Sequence, residues 1–138
     1  QYGGDLNLAS AETELARCEV LLGRPEVARR HAQSALRRMS VDHRIERARA
    51  LAALGAALLQ AGDEEAGATA LDEAAESLES VQAGRQAAAV WRQLVAVHKA
   101  QGDTERALAA AEKAMSVVGL VAEQMTPAPV ASRVRART

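Results

Sequence analysis

Apolar residues recur along this chain at helical intervals of three and four, and three glycines interrupt the pattern at nearly equal spacing. They are Gly23 in VLLGRPEVA, Gly62 in LLQAGDEEA and Gly102 in HKAQGDTERA, 39 and 40 residues apart. Each closes an apolar-periodic segment and precedes a helix start. Pro25 suits a first helical position, and Asp63 and Asp103 suit N-caps whose carboxylates accept from first-turn amides. The pattern predicts helix, tight turn, helix, three times over.

The flanking positions align as well. Leu94 and Trp91 stand eight and eleven residues before Gly102, as Leu54 and Leu51 do before Gly62. Five, nine and twelve residues after the glycines stand Ala107, Ala111 and Ala114, then Gly67, Leu71 and Ala74, then Ala28, Ala32 and Ala35. This arrangement resembles the tetratricopeptide repeat, whose first helix carries a large residue, Leu and a small residue, and whose second helix carries small, large and small residues after a turn Gly. Trp91 fills the large position, Gly55 the small one after Leu54, and His98 the place of an interface aromatic, which implies a packing role. The match covers about residues 9–119 and is closest in the third repeat. Glu12 at the large position of the first repeat, Val95 at the small position of the third, and Ala32 and Ala111 in place of aromatics depart from it.

The resemblance implies an all-α fold: three helix-turn-helix pairs, about residues 9–39, 46–79 and 86–119, stacked as a short right-handed α-solenoid within 1–126, with a flexible basic tail over 127–138. The period near 40, against 34 in the family, implies extended helices or loops at MSVDHRI and SVQAGRQ. The third repeat is similar to the repeats attached to helix-turn-helix transcription regulators of bacteria. That implies a regulatory or sensory domain, and the opening QYGGD, without Met, reads as an excerpt of a longer protein.

Composition narrows the function. Ala supplies 33 of the 138 residues and Phe none, which suits closely spaced helices. The 17 basic and 18 acidic side chains nearly cancel, so direct nucleic acid binding by this segment is disfavoured. Cys18 is alone, which excludes an internal disulfide and fits a reducing cytoplasm. No apolar run reaches the ~18 residues of a membrane span. His31, His43 and His98 lack partners at metal-ligand spacing, and the glycines form no phosphate cradle. The carboxylates of DEEAGATALDEAAESLE read as a solvated helix face. No catalytic group, metal or cofactor is indicated.

Function is therefore sought on a surface. In repeats of this family the first helices line a groove, and offsets from the turn glycines place Glu14, Arg17, Arg49, Gln60, Arg92, Gln93 and Lys99 in it. Four cations against one acid suit a peptide or protein carrying carboxylates. The Asn of the family's chaperone-tail clamp has no counterpart. In the last helix Ala107, Ala111, Ala114 and Val118 are predicted to face their own pair. That leaves Leu108, Met115 and Val117, with Leu120 and Val121 beyond, to form a two-fold homodimer. A purely structural assembly module is the alternative function. Charge is also polarised: residues 24–49 carry eight Arg against three acids, and residues 50–84 carry seven acids and no Lys or Arg. Arg29, Arg30, Arg37 and Arg38 are thus expected to face Asp72, Glu73, Glu76 or Glu79 across the first repeat boundary.

Overall fold

A computed structural model describes residues 2–125, and side chains over 5–117. The described residues form six α-helices and no strand: α1 (Tyr2–Leu21), α2 (Pro25–Arg38), α3 (Arg44–Gln60), α4 (Glu64–Ser80), α5 (Gly84–Ala100) and α6 (Thr104–Met125). They pack as the pairs α1/α2, α3/α4 and α5/α6, and each pair stacks on the next. The long repeat period lies in the helices, since α3, α4 and α5 each have 17 residues. The connections 39–43 and 81–83 are short. The tail 127–138 lies outside the described residues, as do the side chains of Val118, Leu120 and Val121.

Each turn glycine is required by its backbone. Gly23, Gly62 and Gly102 have φ of 75°, 93° and 76°, and each sits where a helix C-terminus closes on itself. At Gly62 its own amide donates to the Leu59 carbonyl and the Asp63 amide to the Leu58 carbonyl, at 3.1 and 2.9 Å. The two expected N-caps differ. The Asp103 carboxylate accepts from the Arg106 amide at 3.0 Å, and the Arg106 guanidinium lies 3.8 Å from its other oxygen. Asp63 makes no side-chain cap bond. Ala66 occupies the place of Arg106 there, so no cation holds the carboxylate over the first turn.

Ala makes up most of the core, which lets helices approach closely: Ala28, Ala32 and Ala35 on α2 and Ala68, Ala74 and Ala75 on α4 are fully or almost fully buried. The larger side chains gather around Trp91, with Leu71, Leu78 and Leu94 in the same cluster. The Trp91 indole Nε1 donates to Glu79 Oε2 at 2.6 Å, and Lys113 Nζ lies 4.5 Å from the ring centre. His98 is buried, with Nδ1 at 3.1 Å from Gln101 Oε1, in keeping with a packing role. On α6 the buried face is Ala107, Ala110, Ala114 and Val117. Val117 thus faces its own pair, and Ala110 rather than Ala111 is buried with it, which corrects the predicted register. Leu108 and Met115 remain exposed.

The expected Arg-to-acid pairs between α2 and α4 do not form. Arg29 bonds Glu26 at 2.8 Å and Gln33 at 3.1 Å within its own helix, and Arg38 bonds Glu12 at 2.6 Å. The reason is geometric, because α3 stands between the two helices and packs on both. Asp72 instead turns towards α5 and α6. Burial pushes its carboxyl above the usual range and Glu76 adds to this, against the opposing charges of His98, Arg106 and Lys113. Arg49 pairs with Glu14 at 3.7 Å and Arg106 with Glu65 at 3.5 Å across repeat boundaries.

Glu12, at the position of Trp91, shows how the first repeat manages a polar interior. Burial raises its pKa, but this is outweighed by hydrogen bonds from Ser34 and Arg38 and by the charges of Arg38 and His31, so the carboxyl sits below its ordinary range. A carboxyl with a lowered folded pKa contributes stability above its unfolded value, and that stability is lost as pH falls through the folded value. Arg38→Ala is therefore expected to cost about 1 kcal/mol at neutral pH, the pair being partly exposed. The deficit should shrink as pH falls through the lowered pKa of Glu12, where the carboxyl becomes protonated in the parent as well. Urea unfolding at pH 7 and pH 3 checks this; an equal deficit at both would contradict it.

Candidate interaction groove

The first helices α1, α3 and α5 line a cavity of about 570 Å³. Helix α3 packs on α1 but barely touches α5, and Leu78 of α4 reaches the cavity wall. The cavity exists because the side chains that would fill it are absent. Ala48, Ala52 and Ala56 succeed one another at four-residue intervals along α3, with Ala89 across from them on α5. Val20 and Val90 complete an apolar floor, and Arg17, Arg49, Gln86 and Gln93 supply the polar groups.

Of the groove residues expected from offsets, the structure brings Arg17, Arg49 and Gln93 together on this cavity. Gln60 is used internally, its Nε2 donating to the Val20 carbonyl at 2.9 Å and tying α3 to α1. Arg92 and Lys99 are exposed on α5 but do not line the cavity. The cation excess is also smaller than the sequence suggests. Glu14 lies 3.0 Å from Arg17 and 3.7 Å from Arg49, so one carboxylate already serves both guanidinium groups. An incoming carboxylate would compete with Glu14 for a bidentate place.

The sequence reading missed Gln86 and the Ala floor. Charged residues attract attention in a sequence, whereas a void is made by what is small. The signal present was the 48, 52, 56 stripe of Ala on one helix face.

Stacked helix pairs whose first helices line a shared cleft define an α-solenoid repeat array. The fold is that of tetratricopeptide repeats. The structure superposes on the crystal structure of the TPR domain of Arabidopsis FLU with a TM-score of 0.73, covering 87% of this chain and 99% of that one at 15% identity. At that identity the likeness is one of fold. No family model matches the sequence, and no curated protein matches it. No helix among the described residues is long and apolar enough to cross a membrane.

Proposed function

We propose that this domain is a non-enzymatic scaffold that takes a protein or peptide segment in the groove between α1, α3 and α5. The observation that carries the reading is the Ala-floored cavity, a volume that larger apolar side chains of another chain would fill. Its dimensions and its small-residue floor suit one turn or two of an amphipathic helix, with a carboxylate directed at Arg17 and Arg49. In the resemblance to bacterial regulators the domain is the regulatory or sensory part of a larger cytoplasmic transcription regulator. Occupancy would then bias an output domain through the geometry of the stacked repeats.

Fluorescence anisotropy with two synthetic helical peptides tests the groove. Both carry Leu at i, i+4 and i+7; one flanks them with Glu and the other with Lys. The Glu peptide should bind in the micromolar range. Ala52→Trp, which fills the floor, should abolish binding, and Arg49→Glu should weaken it by about tenfold, a 1.4 kcal/mol loss. Equal binding of both peptides, or binding untouched by Ala52→Trp in a folded variant, would remove the reading. A second reading, a structural assembly module, is favoured by the exposed Leu108 and Met115 on α6.

A further inference from the structure

The cleft between α1 and α3 carries the same order of chemistry on both walls. On α1 it is Glu14, Arg17 and Val20, and on α3 it is Glu46, Arg49 and Ala52: acid, base, apolar. Successive members stand three residues apart, which keeps them near one helix face and advances each by about 4.5 Å along the axis. The two rows run in the same direction, since Glu14 meets Arg49 and, further along, Val20 meets Gln60.

The basic and apolar members line the 570 Å³ cavity. A second cavity, of about 80 Å³, lies at the acidic end, lined by Ser10, Thr13, Glu14, Glu46 and Arg49. Arg49 lines both, so the two cavities meet at its side chain. The smaller one is rich in acceptors. Glu46 has no ion pair among the described residues, and the Thr13 hydroxyl already donates to the Ala9 carbonyl at 3.0 Å, which leaves its oxygen only to accept.

We propose that the segment bound in this groove carries a Lys one turn beyond its carboxylate, on the side away from its apolar residues. The inference rests on the groove reading above and adds an order of charges to it. The segment's apolar side chains lie over Ala52 and Ala56, its carboxylate takes Arg17 and Arg49, and its ammonium enters the smaller cavity between Glu14 and Glu46. Glu14 changes partner in the exchange. In the free protein it holds Arg17 at 3.0 Å and Arg49 at 3.7 Å; released by the incoming carboxylate, it turns to the ammonium in the cavity it already lines. A segment offering a carboxylate alone would leave Glu14 and Glu46 around the same small cavity without a counter-charge, and its affinity would bear that repulsion. The compact cavity suits an ammonium, a point charge with three donors, better than a planar guanidinium.

Fluorescence anisotropy of the 138-residue chain with peptides of identical composition tests the order. Each peptide carries the same three Leu on one helical face. One has Glu a turn beyond them and Lys a turn further; the other has Glu and Lys exchanged; both are made in both chain directions. The better direction of the Glu-inner peptide should bind about tenfold more tightly than either direction of the exchanged one. Glu46→Gln should weaken the Glu-inner peptide by about threefold and leave unchanged a peptide whose Lys is replaced by Ala. Equal affinities for the two charge orders, a preference for the exchanged one, or an equal effect of Glu46→Gln on the Lys and Ala peptides would overturn the inference. If Ala52→Trp still abolishes binding in that event, the groove reading stands without it; if no peptide binds, both fall. The exchange of peptide charges leaves the protein unaltered, so that comparison holds even if Glu46→Gln does not fold.

Discussion

Trp91→Ala is expected to remove about 3 to 5 kcal/mol of stability, a large share of the ~5–15 kcal/mol available to a domain of this size. Trp91 is almost fully buried, and its cluster joins residues of α3, α4, α5 and α6. Few neighbours can collapse into the space, because the surrounding wall is largely Ala whose side chains have no rotamers to adjust. The change would also strip Glu79 of its indole donor and Lys113 of the ring beneath it. Urea unfolding followed by circular dichroism measures the loss. Trp91→Phe, which keeps an aromatic ring but not the Nε1 donor, should lose less, about 1 to 2 kcal/mol. A Trp91→Ala chain within about 1 kcal/mol of the parent would show that the second and third repeats do not depend on this cluster.

Gly67→Ala and Gly55→Ala are expected to destabilise by about 1 to 3 kcal/mol each, although the same change in an ordinary helix interior gains about 1 kcal/mol. The two glycines face each other where α3 and α4 approach most closely. A Cβ on Gly67 would lie 2.7 Å from Leu59 Cγ and 3.0 Å from the Gly55 carbonyl oxygen, and one on Gly55 would lie 2.9 Å from Leu71 Cγ and 3.0 Å from the Gly67 carbonyl oxygen. A leucine tip can turn aside, but a backbone carbonyl moves only with its helix. Gly119, on α6, supplies the control, since a Cβ there meets nothing within 4 Å. Gly119→Ala should therefore be neutral or raise the melting temperature. Equal effects at Gly67 and Gly119 would show that helix propensity alone governs both.

These expectations separate two kinds of information. The helical segments, the three-fold repetition and the turns were legible in the chain because they depend on local chemistry, although α1 starts earlier and α6 ends later than the repeat bounds of 9 and 119 imply. Only glycine holds φ near +75° to +93° at those turns without strain, and the three- and four-residue intervals of apolar side chains mark the buried face of each helix. The roles of Trp91, Gly55 and His98 followed from the same register. The fold resemblance that the residues suggested is the one that the superposition on a TPR domain shows.

What depended on the third dimension was less visible. A one-position error along α6 placed Val117 outside although it is buried, because neighbouring residues on a helix differ by 100° and the next residue in the sequence is apolar too. Net charges of opposite sign on consecutive second helices suggested pairing, yet α3 lies between them and the arginines found nearer acids. Gln60 read as a groove residue and is a tie between helices, since its partner is a backbone carbonyl forty positions away. The cavity itself arises from the spacing of α3 and α5 and from side chains that are not there. By itself the sequence determined which segments are helices, where they turn and which stripe of each is apolar, because those follow from interactions within a few residues. The groove's shape and the sharing of Glu14 by two arginines were decided only by the tertiary structure, because they arise where distant segments meet.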